Sequence, residues 1–168
     1  MYSQTKRNNK MAIIVPLIVL LTISTGHAKT EVPNFYTEKV CLAKAIYHES
    51  RGEPDSGKKA VAKVVLNRKE HKEFPKSICK VINQVSYVGK RKICQFSWNC
   101  GKQRIDTKSD SWEDSLSLSH AILSNSVSLP KFGSDVLFFK SKYCRQSFGK
   151  GFKLVAVIGN AKFYQKMT

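Results

Sequence analysis

The sequence predicts an α+β domain that is mainly helical and carries a small β element near its C-terminal end. Several segments place apolar residues at three- and four-residue steps, as amphipathic helices do. Two short runs rich in β-branched and aromatic residues follow, at 135–139 and 153–158, and we predict strands there. Helices that precede strands without regular alternation are typical of the α+β class. With 168 residues, 42% of them hydrophobic, the chain is long enough for one core.

The first helix is predicted over residues 37–50, with Thr37 as its N-cap and Gly52 as a left-handed cap after its end. A proline follows at position 54, and the residue before a proline disfavours helix. A second helix is predicted from about 55 to 69, where alanines and valines repeat at helical spacing.

A shorter third helix is predicted at 74–84, and residues 85–109 are predicted to be mostly loop with a short strand around 93–96. Asp110 and an acid three residues later form a capping box, which opens a helix to about residue 127. The apolar face expected for that helix contains Trp112, Leu116, His120, Leu123 and Val127.

Residues 1–28 have the pattern of a secretory signal peptide. Three basic residues precede an apolar run at 11–23, and small residues then suit cleavage after Ala28. A bilayer span needs roughly 20 apolar residues, so this run is short for an anchor, although an uncleaved anchor is the alternative. We expect a single domain over residues 29–168, located in the periplasm or outside the cell.

The charge balance is strongly basic. The chain has 29 Lys and Arg against 12 Asp and Glu, a net charge of +17; without the three basic residues of the signal, 26 against 12 leaves +14. Such a field attracts polyanions. In a cytoplasmic protein the expected polyanion is nucleic acid, whereas an export signal favours cell-wall polymers or anionic lipid. A solvated cationic surface without a specific partner is the alternative.

All five cysteines follow the signal, where an oxidising compartment permits disulfides. Five is an odd number, so two bridges would leave one free thiol. Cys94 and Cys100 bracket a short loop and are the favoured pair. No CxxC occurs and the spacings are not those of a zinc ribbon, so we expect no metal site among them.

The residues after Tyr47 are the candidate catalytic stretch. His48-Glu49 begins like the HExxH zinc helix, but that motif needs a second His at position 52, which is Gly. An acid/base site fits better. Glu49 lies near the C-terminal end of an amphipathic helix, where burial and the negative helix end both favour the protonated form that a general acid needs.

Glu53 lies at the N-terminal end of the second helix, which favours an ionised carboxylate. One neutral and one charged carboxyl would suit acid and base roles. In the alternative, Arg51 and Glu53 pair or cap the turn and are purely structural. Spacing alone leaves both interpretations open.

Several short motifs follow one another in a fixed order. They are Glu49-Ser50-Arg51-Gly52-Glu53, Ala60-Val61-Ala62, Asn67-Arg68, Phe74-Pro75 with Cys79, Gln95-Phe96-Ser97-Trp98, a looser Val136-Leu137-Phe138-Phe139, and Gly159-Asn160-Ala161-Lys162-Phe163-Tyr164. In this order they resemble the SleB-type cell-wall hydrolases, the spore-cortex-lytic enzymes and their relatives. The resemblance runs from about residue 38 to 164, and its motifs are most specific in the first half. One departure is Ala161, where the family has His.

The resemblance implies a lysozyme-like fold and cleavage of peptidoglycan between N-acetylmuramic acid and N-acetylglucosamine, with Glu49 as the catalytic acid. It implies a lytic transglycosylase that gives 1,6-anhydro products and needs no second carboxylate, unlike the two-carboxylate glycosidases. A water-using muramidase and a non-enzymatic cationic wall-binding protein are the alternatives. We expect a monomer that needs no cofactor and binds glycan strands, with no nucleic-acid partner and no membrane span after signal cleavage.

Four residues are candidates for sugar contact, because an amide and aromatic faces suit that role: Gln95, Phe96, Trp98 and Tyr164. Core packing is equally expected for Phe96 and is favoured for Tyr164. Asn67 and Arg68 are expected to be structural, binding the last carbonyls of their helix or the loop after Glu49.

Overall fold

A computed structural model of the chain describes residues 34–101 and 103–167. The predicted signal peptide lies outside them. The elements are α1 (Phe35–Ser50), α2 (Asp55–Glu70), α3 (Ile78–Ile82), β1 (Val85–Val88), β2 (Arg91–Cys94), α4 (Ser97–Cys100), α5 (Asp110–Leu123), β3 (Val136–Ser141), β4 (Phe152–Ile158) and β5 (Ala161–Lys166). This mixture of helices and small sheets confirms the α+β prediction. Within the described part of the chain, no helix combines the length and apolar character that a membrane crossing requires.

The helix that carries Glu49, α1, lies at the centre of the helical part. On one side it packs against α2 and α3 in the main core cluster, whose fully buried members include Leu42, Ile46, Val65, Ile78 and Val81. On another side it packs against α5, where Tyr47 contacts Trp112 edge to face. Burial on several sides fixes the last turn of α1 against the rest of the domain.

A three-stranded antiparallel sheet with the order β3-β5-β4 packs against α2. The contact joins Ala60 and Val64 of the helix to Val136 and Phe163 of the sheet, and all four residues are fully buried. The central strand β5 was not predicted. It contains two lysines and a glutamine, so it lacks the apolar run by which the outer strands were recognised.

A separate hairpin, β1–β2, occupies the first part of the segment that was predicted to be loop. Its strands pair antiparallel from Val85 opposite Cys94 to Val88 opposite Arg91. Gly89 opens the two-residue turn with a φ of +58°, which glycine adopts without steric cost. The predicted strand around 93–96 therefore ends at Cys94, and residues 97–100 form α4 instead.

Two disulfides join these elements. Cys94–Cys100 links β2 to the end of α4, which confirms the favoured pair. Cys41–Cys79 links α1 to α3 across 38 residues and was not predicted. Cys144 is the free, exposed thiol.

Both caps predicted for the first helix are wrong. α1 begins at Phe35, because the side chain of Asn34 accepts a hydrogen bond from the backbone N–H of Tyr36. The C-cap of the helix is Arg51, which has a right-handed conformation with a φ of −58°. Gly52 is not among the glycines with positive φ, so it does not form the predicted left-handed cap.

The other helix boundaries also differ from the prediction. α3 begins only at Ile78, because Ser77 caps it by accepting from the N–H of Lys80. α5 is capped by Ser109, which accepts from the N–H of Trp112, and it ends at Leu123 rather than near residue 127.

Candidate active site

Glu49 lies in the last turn of α1 and is half-buried. Its Oε1 accepts a hydrogen bond of 2.8 Å from the indole N–H of Trp98 in α4. Burial raises the pKa of Glu49 above its usual range, while the hydrogen bond from Trp98 and the positive charge of Arg68 act in the opposite direction. The net direction favours a protonated carboxyl, as a general acid requires.

Trp98 is itself tightly held and only 7% exposed. The ring of His48 stacks on its indole, with centroids 4.5 Å apart and planes 18° from parallel. Burial and the nearby charges of Arg51 and Lys44 lower the pKa of His48, which favours the neutral imidazole in this stack. Since the Cys94–Cys100 disulfide closes a ring that contains Trp98, both covalent and packing contacts fix the donor to Glu49.

Arg68 brings a buried positive charge close to this site. Its side chain in α2 is 3% exposed, and its Nε donates to the carbonyl of Leu137 in β3 at 2.8 Å. With the amide of Gln95 oriented so that its oxygen faces the guanidinium, Oε1 accepts from Nη1 and Nη2 at 3.2 Å each. Burial lowers the pKa of Arg68 to about 10, and the charge of Glu49 partly offsets that effect. Arg68 therefore remains a cation at neutral pH.

Asn67 and Arg68 have structural contacts, as predicted, but their predicted partners are wrong. Asn67 donates through Nδ2 to the carbonyls of Gly133 and Val136, at 2.9 and 3.0 Å. Together with the bond from Arg68 to Leu137, these contacts tie the end of α2 to β3 and the segment before it. Sequence spacing pointed to local partners, whereas the actual ones lie 66 to 69 residues away.

Glu53 connects the turn after α1 to the sheet. Its Oε2 accepts a hydrogen bond of 2.7 Å from the backbone N–H of Asn160, in the turn between β4 and β5. Gly159 in that turn has a φ of +58°, and a Cβ there would overlap Glu53 Oε2. Arg51 lies over the ring of Tyr47 and makes none of the ion pairs found among the described residues. The pairing of Arg51 with Glu53, which was one of the open alternatives, is therefore absent from the ion pairs among the described residues, and Glu53 contacts the sheet instead.

Two cavities meet at Glu49 and Phe139. The first, which we call the polar cavity, has a volume of about 220 Å³. Its polar lining comes from Glu53, Lys140, Ser141 and Asn160, and Ala161 also contributes. Because Glu49 lines the polar cavity together with Lys140 and Ser141 of β3, the carboxyl shares its space with polar groups.

The second, which we call the aromatic cavity, has a volume of about 250 Å³. Besides Glu49 and Phe139, its lining includes Arg68, Gln95, Phe96, Phe138 and Phe148. The two cavities together form a cleft that follows β3, with Glu49 at their junction. An extended chain with both polar groups and flat apolar faces, such as a polysaccharide, matches this pair of surfaces.

The structure divides the four residues predicted to contact sugar. Gln95 and Phe96 line the aromatic cavity, although Phe96 is also buried against Trp98. Neither Trp98 nor Tyr164 is among the described residues that line the cleft. Tyr164 packs against Phe148, with ring centroids 5.0 Å apart.

Sequence reasoning missed several residues that line the cleft: Phe138, Phe139, Lys140, Phe148 and Asn160. The first two belong to the late motif 136–139, so their position in that motif was the available signal. The described residues contain no group of three His, Cys, Asp or Glu side chains placed to hold a metal ion.

Comparison with known proteins gives one family. The family model described as Cell Wall Hydrolase matches residues 52–164, which include Glu53, Arg68 and Gln95 and begin three positions after Glu49. No solved structure matches the chain.

Among curated proteins, a spore cortex-lytic enzyme of Bacillus cereus is 47% identical over 55 residues, which are 32% of this chain and 21% of that protein. A spore cortex-lytic enzyme of Bacillus subtilis is 51% identical over 41 residues, 24% of this chain and 13% of that protein. The matched part of the chain thus spans about a fifth or less of these relatives' length. The resemblance seen in the ordered motifs is confirmed, and with two thirds of its length matched by the family model, the chain belongs to the cell wall hydrolase family.

Proposed function

We propose that this chain cleaves the glycan strands of peptidoglycan, between N-acetylmuramic acid and N-acetylglucosamine, with Glu49 as the catalytic acid. The observation that carries the proposal is a half-buried carboxyl of raised pKa at the junction of two cavities, oriented by the N–H of Trp98. Membership of the cell wall hydrolase family supports the same substrate.

The chemistry uses Glu49 twice. The protonated carboxyl gives its proton to the oxygen that bridges the two sugars, and the bond from that oxygen to the muramic acid C1 breaks. The resulting carboxylate then accepts the proton of the sugar's own C6 hydroxyl, whose oxygen bonds to C1 and forms a 1,6-anhydro ring. The positive charge of Arg68 and the hydrogen bond from Trp98 both stabilise the carboxylate that exists between the two steps.

Support for a lytic transglycosylase comes from Glu53. A two-carboxylate mechanism needs a second carboxylate free to act as nucleophile or as base for water. Oε2 of Glu53 instead accepts from the peptide N–H of Asn160, which gives this residue a structural task. A hydrolytic muramidase is the second candidate, because Glu53 also lines the polar cavity beside Glu49.

The proposed sugar contacts follow the lining of the cleft. Gln95 and Phe96 remain proposed contacts, in the aromatic cavity. Trp98 is assigned instead to positioning Glu49, and Tyr164 to supporting Phe148 in the wall of that cavity.

The remaining proposals concern location and fold. We propose that residues 29–168 form a monomeric domain of lysozyme type that acts in the periplasm or outside the cell after removal of residues 1–28. Two disulfides support an oxidising compartment, since cytosolic thiols are normally kept reduced.

The test is digestion of purified sacculi by the protein and by Glu49→Gln, followed by mass spectrometry of the released fragments. We expect the protein to release fragments with anhydro ends and the variant to release none while keeping its fold. Ends heavier by one water molecule would assign the muramidase mechanism. If the protein binds sacculi but releases nothing, the non-enzymatic wall-binding function replaces the proposal.

A further inference from the structure

The β1–β2 hairpin lies in a part of the sequence that carries only positive charge. Residues 74–105 contain seven basic residues and no acidic residue. Three of the seven are consecutive at the tip of the hairpin: Lys90, Arg91 and Lys92. None of them takes part in the ion pairs found among the described residues. Their charges therefore face solvent without an acidic neighbour to neutralise them.

The hairpin also exposes large apolar side chains. Tyr87 is 70% exposed, Val88 67% and Ile93 42%. In the antiparallel register Tyr87 lies opposite Lys92, and Val88 lies opposite Arg91. Directly opposed residues share a face, so each face of the hairpin presents one apolar and one cationic side chain side by side. Three exposed apolar side chains within seven residues, each close to a cation, are compatible with a binding surface.

The base of the hairpin belongs to the wall of the cleft. Cys94, the last residue of β2, and Gln95 both line the aromatic cavity. The backbone N–H of Gln95 donates to the carbonyl of Gln84 at 2.9 Å, and the Cys94–Cys100 disulfide fixes the same end. An isolated hairpin is marginally stable in water, so these two contacts hold it in a defined direction. Its four residue pairs extend roughly 13 Å from the cleft.

We propose that the β1–β2 hairpin is a second binding site, outside the cleft, for peptidoglycan strands, in which Lys90, Arg91 and Lys92 bind the carboxylates of the peptide stems and Tyr87 packs on a sugar face. This inference rests on the proposed function. Because Cys94 of the hairpin and the adjacent Gln95 line the aromatic cavity, a strand that extends beyond the cavity on this side would meet the hairpin, and this continuity favours the wall polymer over a lipid surface. The stems carry carboxylates that complement the cations at the tip and on both faces of the hairpin, while the glycan supplies a flat face for Tyr87 on the face that it shares with Lys92.

The test measures binding in the Glu49→Gln background, so that no strand is cut during the assay. Co-sedimentation with purified sacculi compares that protein with a hairpin triple variant, Lys90→Ser, Arg91→Ser and Lys92→Ser. A matched control, Lys108→Ser, Lys131→Ser and Lys150→Ser, removes the same charge from exposed positions elsewhere that do not line the cleft. Circular dichroism establishes that each variant is folded.

We expect the hairpin variant to bind sacculi roughly tenfold more weakly than the control, because three charge pairs at an exposed surface are lost. On glycan stripped of its peptide stems the two variants should bind equally. Equal binding of the two variants to intact sacculi would overturn the proposal, and so would a hairpin effect of the same size on stripped glycan.

A separate arm keeps Glu49 and measures the release of fragments. The hairpin variant should digest intact sacculi more slowly than the control but release fragments from stem-free glycan at the same rate. Absence of release by every protein would reject the proposed function and leave the binding comparison interpretable. Vesicles containing anionic phospholipid form the last arm: if the hairpin variant loses vesicle binding and keeps sacculus binding, the partner is a membrane and the proposal is wrong.

Discussion

The indole N–H of Trp98 donates a 2.8 Å hydrogen bond to Oε1 of Glu49, across 49 positions of sequence. This bond orients the carboxyl and favours its ionised form, whereas burial favours the neutral form. Because Trp98 lies outside the lining of the cleft, its effect on the reaction passes through Glu49. That distinction can be measured.

Replacement of Trp98 by Phe removes the hydrogen bond and keeps most of the packing. We expect kcat to fall roughly 10- to 100-fold, since a displaced acid reacts poorly, while KM changes little. The pKa of Glu49 should rise further, so the loss of activity at high pH should occur at a higher pH than in the unaltered protein. The pH profile of sacculus digestion tests both effects. Trp112→Phe, in the contact between α1 and α5, is the matched control. A raised KM with unchanged kcat would indicate that Trp98 contacts the sugar directly and would contradict its positioning role.

The raised pKa of Glu49 makes the stability of the fold depend on pH. In the folded state this carboxyl holds its proton above the ordinary pKa of 4.5, so the folded state binds more protons than the unfolded state in that window. The free energy of unfolding therefore falls as pH rises from about 4.5 through the folded pKa. Glu49→Gln removes this dependence, and its thermal stability relative to the unaltered protein should increase with pH. Thermal unfolding at a series of pH values, with exposed Glu70→Gln as control, checks the sign. A difference in stability that does not change with pH would contradict it.

The two disulfides are predicted to have different consequences. Loop closure over 38 residues predicts a loss of about 4 kcal/mol when Cys41 and Cys79 become Ser, against about 2 kcal/mol for the 6-residue separation of Cys94 and Cys100. Activity should follow the reverse order, because the shorter ring contains Trp98 and residues of the aromatic cavity. Denaturant unfolding measures the loss of stability in the two double variants, and sacculus digestion measures their loss of activity. The two losses should have opposite orders. Parallel losses of stability and activity would argue against a positioning role for the short ring.

Gly159 is predicted to tolerate no side chain. Gly159→Ala would place a Cβ against Glu53 Oε2 at a backbone φ of +58°, and we expect a destabilisation of about 1–3 kcal/mol. Two other glycines distinguish the effect of the backbone conformation from that of the contact with Glu53. Gly89 has the same φ of +58° with nothing within 4 Å of a Cβ, and Gly52 has open space without positive φ. The destabilisation should decrease from Gly159→Ala to Gly89→Ala, and Gly52→Ala should be neutral or slightly stabilising. Equal effects at Gly159 and Gly89 would show that the contact with Glu53 contributes nothing.

The features that could be predicted from the sequence are those that depend on residues close together in the chain. The periodic apolar stripe placed Glu49 at the end of α1, and the short spacing of Cys94 and Cys100 identified their disulfide. The face of α5 shows how such a signal fails. His120 was expected in the core but is exposed, while Ser115 and Ser119 are fully buried.

The hydroxyls of those two serines donate to carbonyls of their own helix, which makes a small polar residue acceptable where α5 meets α1. A hydrophobicity pattern cannot indicate this. It likewise cannot indicate that Trp98 reaches Glu49 or that Arg68 binds β3, because these contacts depend on how distant segments pack.

The hydrogen bond from the N–H of Asn160 to Glu53 has a consequence for the order in which the molecule is completed. The two residues are 107 positions apart. Glu49 and Glu53 line the polar cavity from the early part of the chain, whereas Lys140, Ser141 and Asn160 line it from the late part. A chain still emerging from the ribosome possesses Glu49 early but obtains the facing wall only when β3, β4 and the turn before β5 have been synthesised. Under the proposed function, cleavage therefore requires that synthesis has passed Asn160, and a nascent fragment that ends before this residue is expected to cut no glycan strand.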